Sequence, residues 1–533
     1  SYPMAAARQL SVQWRAQQRR RPARPGASTT RAVPVKAAAS TVERLSSPLE
    51  RLLPPQLASL LPKEEALRAQ YISAVALRFS YFLGQGLFNA RLTNNSAIDP
   101  AAVGRAVVAA LSSDEPSNEV FSTTSLIDNS NLSDEDALKM SAFWEENIRS
   151  ILSIFRKELE CIETGVYKYP YDLDPLGPAA AQQWNPAAVL SLAALFVEDQ
   201  ADIRRRRETK DGLEVARAFE AGDRYPEYYV QNFHFQSDGW FSTRSAKLYD
   251  YQVETLFLGA ADTMRRSTLP YLSEFMAGRD EASTKVLDIA SGTGRFLSFV
   301  KDNYPKMQAT ALDLSPFYLA ETRSLLSEYE RDGSAVFVEA NAEAIPLPDA
   351  SFDAITCVYL FHELPEEARQ NVVKEMGRVL KPGGKLFFVD SAQLGDGVLS
   401  GMQTANDRAL AGFPAFNHEP YYQNYVESDL EALFKEFGGF ELDTTEMAWV
   451  TKCMVLTKPA EKEEVVEEAE EATPSEAAVE APVEAAAAAP VEAAAASDND
   501  GDEEDEVSDE EDESEDEDEE AEEEEEVEVD KKK

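Results

Sequence analysis

Two kinds of hydrophobic pattern follow one another along the chain. In the N-terminal part, apolar residues recur at the i, i+3, i+4 spacing of amphipathic helices. These segments span residues 64–88, 100–111, 134–160 and 186–203. Short apolar runs of strand length then alternate with helical patterns, at residues 285–290, 308–314, 335–339, 352–358 and 385–389. The sequence therefore predicts an all-α N-terminal region followed by a doubly wound, parallel α/β sheet.

A segment dense in aromatic side chains lies between the two patterns. Ten aromatic residues fall between Tyr225 and Phe257. This density is typical of a buried core, and also of a slot that binds a substrate. The predicted domains are a transit peptide at 1–40, a helical region at 41–222, an aromatic-rich lid or substrate segment at 223–284, an α/β domain at 285–458 and a disordered tail at 459–533.

The first 40 residues contain eight Lys and Arg and no Asp or Glu. This composition is typical of an organelle transit peptide, and it resembles plastid import sequences more than mitochondrial ones. A disordered basic tail is the alternative. We expect localisation in the plastid stroma, with the mitochondrion as second choice.

The net charge of −46 is concentrated in the acidic tail, where residues 461–533 hold 36 Asp and Glu against 4 Lys. Such a segment buries too little apolar surface to fold, so it is predicted to be disordered, with a basic protein as a candidate partner. The remaining body, residues 41–460, still has 61 acidic against 39 basic side chains, which disfavours nucleic acid as a partner.

Two further classes of protein are disfavoured by the sequence. No stretch of about 20 uncharged apolar residues is present, so no transmembrane segment is predicted. Cys161, Cys357 and Cys453 lie about a hundred residues or more apart, a spacing that supports neither a metal site nor a disulfide framework.

A glycine turn follows the first predicted strand. Residues 286–296 read Val-Leu-Asp-Ile-Ala-Ser-Gly-Thr-Gly-Arg-Phe, an apolar strand that enters a turn at a helix start. Gly292 and Gly294 permit close approach of a ligand, and the helix start offers N–H groups to an anion. A dinucleotide fingerprint would place its third glycine at Leu297, which is too bulky, so NAD is disfavoured.

Polar residues also stand at the ends of the next two strands. Asp313 lies nineteen residues after Gly294, where a carboxylate can accept both hydroxyls of a ribose. Asn341 and Ala342 follow the third strand, in the crevice where open sheets bind ligands, and Asn341 could hydrogen-bond an adenine edge.

Together with Leu380-Lys-Pro-Gly-Gly, these motifs resemble class I S-adenosylmethionine-dependent methyltransferases, in particular the ubiquinone/menaquinone C-methyltransferase-like branch with a type 11 domain. The resemblance covers about 285–458. It implies a Rossmann-like seven-stranded sheet whose last strand, 449–457, is antiparallel, and S-adenosylmethionine as cofactor. The implied cofactor site comprises Asp288, Ala290, Gly292, Gly294, Asp313, Leu314, Asn341, Ala342 and Tyr359. Ala290 stands where the family often has Gly, and Asn341 where Asp is common.

Methyl transfer requires few chemical groups from the protein, because the sulfonium of S-adenosylmethionine already carries an activated methyl group. Positioning and exclusion of water supply most of the acceleration, but a hydroxyl or phenolic acceptor must also lose a proton. His362 and His234 are the candidate catalytic bases, with a structural loop histidine as the alternative for each.

The resemblance therefore predicts an enzyme that methylates a small, aromatic or quinone-like acceptor, over which residues 223–284 would close. One alternative is a methyltransferase-like scaffold that organises protein partners through its helical region and acidic tail. Another is a protein methyltransferase.

Overall fold

The structure is a computed structural model that describes residues 63–93, 134–174, 186–218, 224–396 and 417–460, together with residues 410 and 414. The predicted transit peptide, the predicted helix at 100–111 and the predicted acidic tail lie outside these residues.

A seven-stranded sheet forms the centre of the described chain. Its strands are β1 (Lys285–Ile289), β2 (Gln308–Asp313), β3 (Ala335–Glu339), β4 (Phe352–Val358), β5 (Leu380–Ser391), β6 (Glu441–Ala448) and β7 (Thr451–Thr457). The strand order is β3-β2-β1-β4-β5-β7-β6, with β7 antiparallel to both of its neighbours. This confirms the predicted Rossmann-like seven-stranded sheet with an antiparallel last strand.

Helices precede the sheet and connect its strands. They are α1 (Lys63–Thr93), α2 (Asp134–Glu163), α3 (Pro186–Thr209), α4 (Glu214–Ala218), α5 (Thr243–Leu256), α6 (Ala261–Arg266), α7 (Leu269–Met276), α8 (Arg295–Asn303), α9 (Pro316–Leu325), α10 (Ser327–Arg331), α11 (Glu366–Val379), α12 (Tyr422–Glu427) and α13 (Leu430–Gly438). No helix in the described part of the chain combines the length and apolar character that a bilayer crossing requires.

Both faces of the sheet are buried, which explains why its central strands read as continuous apolar runs. Phe387 of β5 packs into one hydrophobic cluster with α8 and α9, while the next residue, Phe388, packs into another with α11 and α13. Because successive side chains of a strand point to opposite faces, each strand contributes to both clusters.

The order of the strands places a crevice between β1 and β4. Ile289 at the end of β1 pairs with Leu312 of β2 on one side and Cys357 of β4 on the other. The chain reverses its direction across the sheet here, and open α/β sheets bind ligands at this point, outside the carboxyl ends of the strands.

The helical region packs against the α/β domain through one shared hydrophobic cluster. Tyr71 of α1 and Phe155 of α2 belong to the same cluster as Met264 of α6 and Phe299 of α8. The N-terminal helices are therefore part of the core beneath the sheet.

Charged side chains are also buried in this packed region, where they form ion pairs. The buried ion network consists of Arg78, Glu158, Asp172, Glu254, Asp262, Arg265, Arg266 and Arg295, none of which exposes more than 11% of its side chain. Arg266 lies 2.6 Å from Glu158 and 2.9 Å from Asp172. Arg78 and Arg295 each approach Asp262 to 2.6 Å. Every cation of the network thus has a carboxylate partner, as buried charges require.

Two elements differ from the pattern-based expectation. β6 (Glu441–Ala448) was missed because it is an edge strand whose exposed and half-buried residues alternate, so it contains no apolar run. β5 begins at Leu380, five residues earlier than predicted, because the Lys-Pro-Gly-Gly segment continues the strand.

Candidate functional site

A cleft opens at the carboxyl ends of β1, β2, β3 and β4, at the reversal point of the sheet. It encloses about 1020 Å³, its open mouth included. Eight of the nine predicted cofactor residues line it, namely Asp288, Ala290, Gly292, Asp313, Leu314, Asn341, Ala342 and Tyr359. The structure thus brings together side chains from four strand ends.

The glycine turn forms one wall, and its two glycines have different tasks. Gly292 has φ of +58°, and a Cβ there would meet nothing within 4 Å, so this residue leaves the cleft open. Gly294, the ninth predicted residue, lies outside the lining. A Cβ at Gly294 would come within 2.6 Å of Thr322 Cγ2, so its lack of a side chain allows α8 to pack against α9.

Asp313 ends β2 with its carboxylate held by two backbone groups. The N–H of Gly292 donates to Oδ2 and that of Ser315 to Oδ1, each at 2.8 Å. Burial raises the pKa of Asp313 to about 6, against the opposing effect of these hydrogen bonds. The carboxylate is thus oriented before any ligand arrives and is largely ionised at neutral pH.

Asp288 lies deeper, near the end of β1, with 2% of its surface exposed. The Thr356 hydroxyl donates to its Oδ1 at 2.5 Å. Burial is the largest effect on this group, and it raises the pKa of Asp288 to about 7. Both protonation states are therefore populated near neutral pH.

Asn341 follows β3 with its amide already fixed. Its Oδ1 accepts the N–H of Glu343 at 2.9 Å, and its Nδ2 donates to the Glu343 carboxylate at 3.3 Å. Tyr228 donates to the same carboxylate oxygen at 2.6 Å, which ties the aromatic segment to this strand end.

Tyr359 follows β4 in the left-handed region, with φ of +57°. Its hydroxyl lies 2.7 Å from Thr451 Oγ1, and its ring stacks on Phe257 at a centroid distance of 6.4 Å. Tyr359 therefore forms a fixed side of the cleft that connects β4, β7 and α5.

Aromatic side chains form a second wall of the cleft, called the aromatic wall. They are Tyr228, Tyr229, Trp240, Tyr249 and Tyr318. Trp240 also packs on Phe233 and Tyr318 in a buried cluster. Residues of this segment thus both pack in a buried core and line the cleft, and the packed rings hold the lining rings in place.

The two candidate histidines lie behind the lining. Nε2 of His234 is 3.2 Å from Glu363 Oε1, and its Nδ1 is 2.9 Å from Glu419 Oε1. His362 lies 2.6 Å from Asp390 through Nδ1. Burial alone would lower both pKa values, but these carboxylates outweigh it and raise the pKa of His234 to about 10 and that of His362 to about 9. The role of catalytic base that we predict for either histidine would require its neutral form, because an imidazolium cannot accept a proton.

Sequence reasoning missed several lining residues. Arg265 reaches the cleft from α6, and neither a motif nor a periodic pattern marks it. Glu363 also lines the cleft. A signal for Glu363 was present, because it directly follows His362 at the end of the fourth strand.

The described residues contain no group of His, Cys, Asp and Glu side chains that could hold a metal ion. Cys161, Cys357 and Cys453 are buried free thiols.

Residues 286–384 match the family described as methyltransferase domain. The chain is 34% identical over 156 residues to a ubiquinone/menaquinone biosynthesis C-methyltransferase of Shewanella sediminis, across 28% of this chain and 57% of that protein. It is 33% identical over 145 residues to a demethylmenaquinone methyltransferase of Deinococcus radiodurans, across 27% and 56%. The chain thus spans somewhat more than half the length of these curated relatives.

Solved structures also match. A SAM-dependent methyltransferase from Aquifex aeolicus is 20% identical, with a TM-score of 0.29, across 40% of this chain and 98% of the other. An O-methyltransferase family protein from Burkholderia thailandensis is 15% identical, with a TM-score of 0.35, across 58% and 84%.

Proposed function

We propose that this chain, in which residues 286–384 form a class I methyltransferase domain, transfers the methyl group of S-adenosylmethionine to a small, aromatic, quinone-like acceptor. The observation that carries the proposal is the meeting of three features in one cleft. These are an open glycine turn, a preoriented carboxylate at Asp313 and a wall of five aromatic rings.

The residues of the cleft fit the cofactor. The buried Ser291 hydroxyl has no hydrogen-bond partner among the described residues, and the space beside Gly292 is open. We assign the ribose hydroxyls to Asp313, the methionine end to Ser291 and Gly292, and the adenine to Asn341 and its neighbour Ala342. When bound, S-adenosylmethionine supplies an activated methyl group on sulfur.

The acceptor class follows from the aromatic wall. Rings stack favourably on Tyr and Trp side chains, whose polar ends can also orient oxygen substituents. The two curated relatives are named for ubiquinone and menaquinone biosynthesis or for demethylmenaquinone methylation. A quinone-like ring suits both observations, and the wall would hold it in place and exclude water during transfer.

Calorimetric titration of the full chain with S-adenosylmethionine and with its demethylated product tests the cofactor assignment. A hydrogen bond to a charged group contributes about 1.5–3 kcal/mol. Asp313→Asn should therefore weaken binding about tenfold to hundredfold. Asp349→Asn is the matched control, because the Asp349 side chain is 77% exposed. A folded wild-type protein that takes up neither ligand would overturn the proposal.

A scaffold role in place of catalysis is not favoured, because the chain matches a methyltransferase domain and relatives that are named as methyltransferases. We further propose plastid import through residues 1–40, to be tested by fusing that segment to a fluorescent reporter. We also propose a basic protein partner for the acidic tail. Affinity capture from plastid extract, with and without residues 461–533, tests it, and tail-independent capture would contradict it.

A further inference from the structure

Glu363 occupies a central position in the cleft. It ends the short 3₁₀ turn Phe361–Glu363 after β4, lines the cleft and exposes 13% of its side chain. Its Oε1 lies 3.2 Å from His234 Nε2 and 3.7 Å from His362 Nε2. Its Oε2 has no hydrogen-bond partner in the part of the chain that the structure describes, so one carboxylate oxygen is held and the other is available.

Both imidazoles near Oε1, the hydrogen-bonded His234 and the more distant His362, also face a second carboxylate. The second nitrogen of His234 faces Glu419, and that of His362 faces Asp390. Both outer carboxylates are buried, with 1% and 0% of their surface exposed. Behind the cleft, the carboxylate of Glu363 is therefore followed by two imidazoliums and then by two buried carboxylates, and these alternating charges orient Glu363.

The groups that face Glu363 place it between the cofactor residues and the aromatic wall. Its charge adds to burial in raising the pKa of Tyr249, Tyr318 and Asp313. Arg265 acts on Tyr249 in the opposite direction. Glu363 is thus near the assigned ribose position as well as the rings that would hold an acceptor.

We propose that Glu363 binds a hydroxyl group of the methyl acceptor through Oε2 and takes its proton during methyl transfer. This inference rests on the proposed function. The acceptor O–H bond breaks, its proton passes to Glu363, and its electron pair stays on oxygen or is delocalised to the ring carbon that is methylated. The new bond forms to the methyl carbon as the C–S bond breaks with its electrons on sulfur. In carbon methylation, the ring proton then leaves to solvent.

His234 and His362 act as positioning residues in this arrangement. As imidazoliums they cannot compete for the acceptor proton. His234 holds Oε1 and the charge of His362 lies close to it, which leaves Oε2 for the acceptor. The acceptor class narrows accordingly to hydroxylated aromatic rings, such as phenols and reduced quinones.

Binding of two probes tests the hydroxyl contact without catalysis. The full chain, saturated with the demethylated cofactor product, is titrated anaerobically with naphthohydroquinone and with its dimethyl ether. Wild type and the control Glu367→Gln, which alters an exposed acid four residues away, should prefer the hydroquinone by about tenfold or more. Glu363→Gln should lose this preference while its circular dichroism and its affinity for S-adenosylmethionine stay unchanged.

Single-turnover transfer from labelled S-adenosylmethionine to naphthohydroquinone tests the proton step. Glu363→Gln should slow transfer by about 10²–10⁴-fold. In wild type the rate should fall above about pH 9, as His362 and then His234 lose their protons. His234→Gln should slow transfer less than Glu363→Gln and weaken this alkaline fall, a change that a purely structural role would not produce.

The outcomes separate the two proposals. If wild type binds S-adenosylmethionine but Glu363→Gln keeps both the hydroxyl preference and the rate, the role of Glu363 is overturned and the proposed function stands. If cofactor-bound wild type takes up neither probe, the aromatic acceptor class and the role of Glu363 both fail. If wild type does not bind S-adenosylmethionine, the proposed function itself fails.

Discussion

Replacement of Arg266 by methionine should strongly destabilise the protein. Arg266 has 1% of its surface exposed and holds two carboxylates, Glu158 at 2.6 Å and Asp172 at 2.9 Å. Methionine preserves most of the apolar stem but removes the charged guanidinium, whose Cζ lies 4.6 Å from the centroid of the Phe299 ring. Two buried carboxylates would then lose a shared cation.

The magnitude follows from the partners that remain. Removing one member of a buried pair typically costs about 3–5 kcal/mol, because the other charge is left without its partner. Glu158 would keep hydrogen bonds from Tyr71 at 2.7 Å and Thr263 at 2.9 Å, and Asp172 would keep its ion pair with Arg78. We therefore expect the lower end of the range, a loss of about 3 kcal/mol in the free energy of unfolding.

Urea unfolding of the full chain, followed by circular dichroism and tryptophan fluorescence, measures this loss. Trp449 is a suitable reporter, because its indole N–H donates to Asn147 of α2 at 3.0 Å across the packed region. Arg323→Met is the matched control. Its ion pair with Glu330 is about half exposed, so the expected loss is about 0–1 kcal/mol. Equal losses in the two variants would refute the structural role of the network.

Three further predictions concern the cleft. Gly294→Ala should lower the free energy of unfolding by about 1–3 kcal/mol in thermal or urea unfolding, because its Cβ would overlap Thr322. Gly292→Ala also places a side chain at positive φ, and it should in addition weaken S-adenosylmethionine binding in calorimetry, since its Cβ would enter open cleft space; equal affinities of the two variants would contradict this assignment. Burial raises the pKa of Asp288 to about 7 in the folded state, so the contribution of this carboxyl to stability is fully present below its unfolded pKa and is lost as pH rises through about 7. Asp288→Asn should make the free energy of unfolding fall less over this pH range, and the smaller fall that remains would come from Asp313, whose pKa is also raised. The free energy of unfolding is measured by urea unfolding at each pH, and the same pH dependence in wild type and variant would contradict the reasoning.

The location of the cleft could be predicted from the sequence because it depends on strand ends. In a parallel sheet the carboxyl ends of neighbouring strands meet at one edge, whatever the side chains do in detail. Asp288, Asp313 and Asn341 each lie at or near such an end, so identification of the strands was enough to bring them together. Gly294 shows the limit of this reasoning, since only the structure shows that it serves helix packing.

The buried ion network could not be predicted, because its partners are far apart along the chain. Arg78 and Asp262, for example, are separated by 184 residues. No periodic pattern marks a charged residue that becomes buried by a distant partner, and exposed charges of the same type are far more common. The raised pKa values of the two histidines could not be predicted from the sequence for the same reason, because the carboxylates that stabilise their protonated forms come from other segments.

The buried ion network and the cleft are structurally connected, because Arg265 and Arg295 belong to both. Each pairs with Asp262, which Arg78 of α1 also holds, and Arg295 has a second carboxylate 3.5 Å away in Asp172. A sheet domain without the N-terminal helices would leave these cations at the cleft with fewer carboxylates than they have now, at the cost that unpaired buried charges carry. Four of the five residues of the aromatic wall likewise precede β1, and the fifth, Tyr318, lies in α9. The matched region 286–384 therefore supplies one part of the site, while the helical and aromatic segments supply the charge balance and most of the aromatic wall.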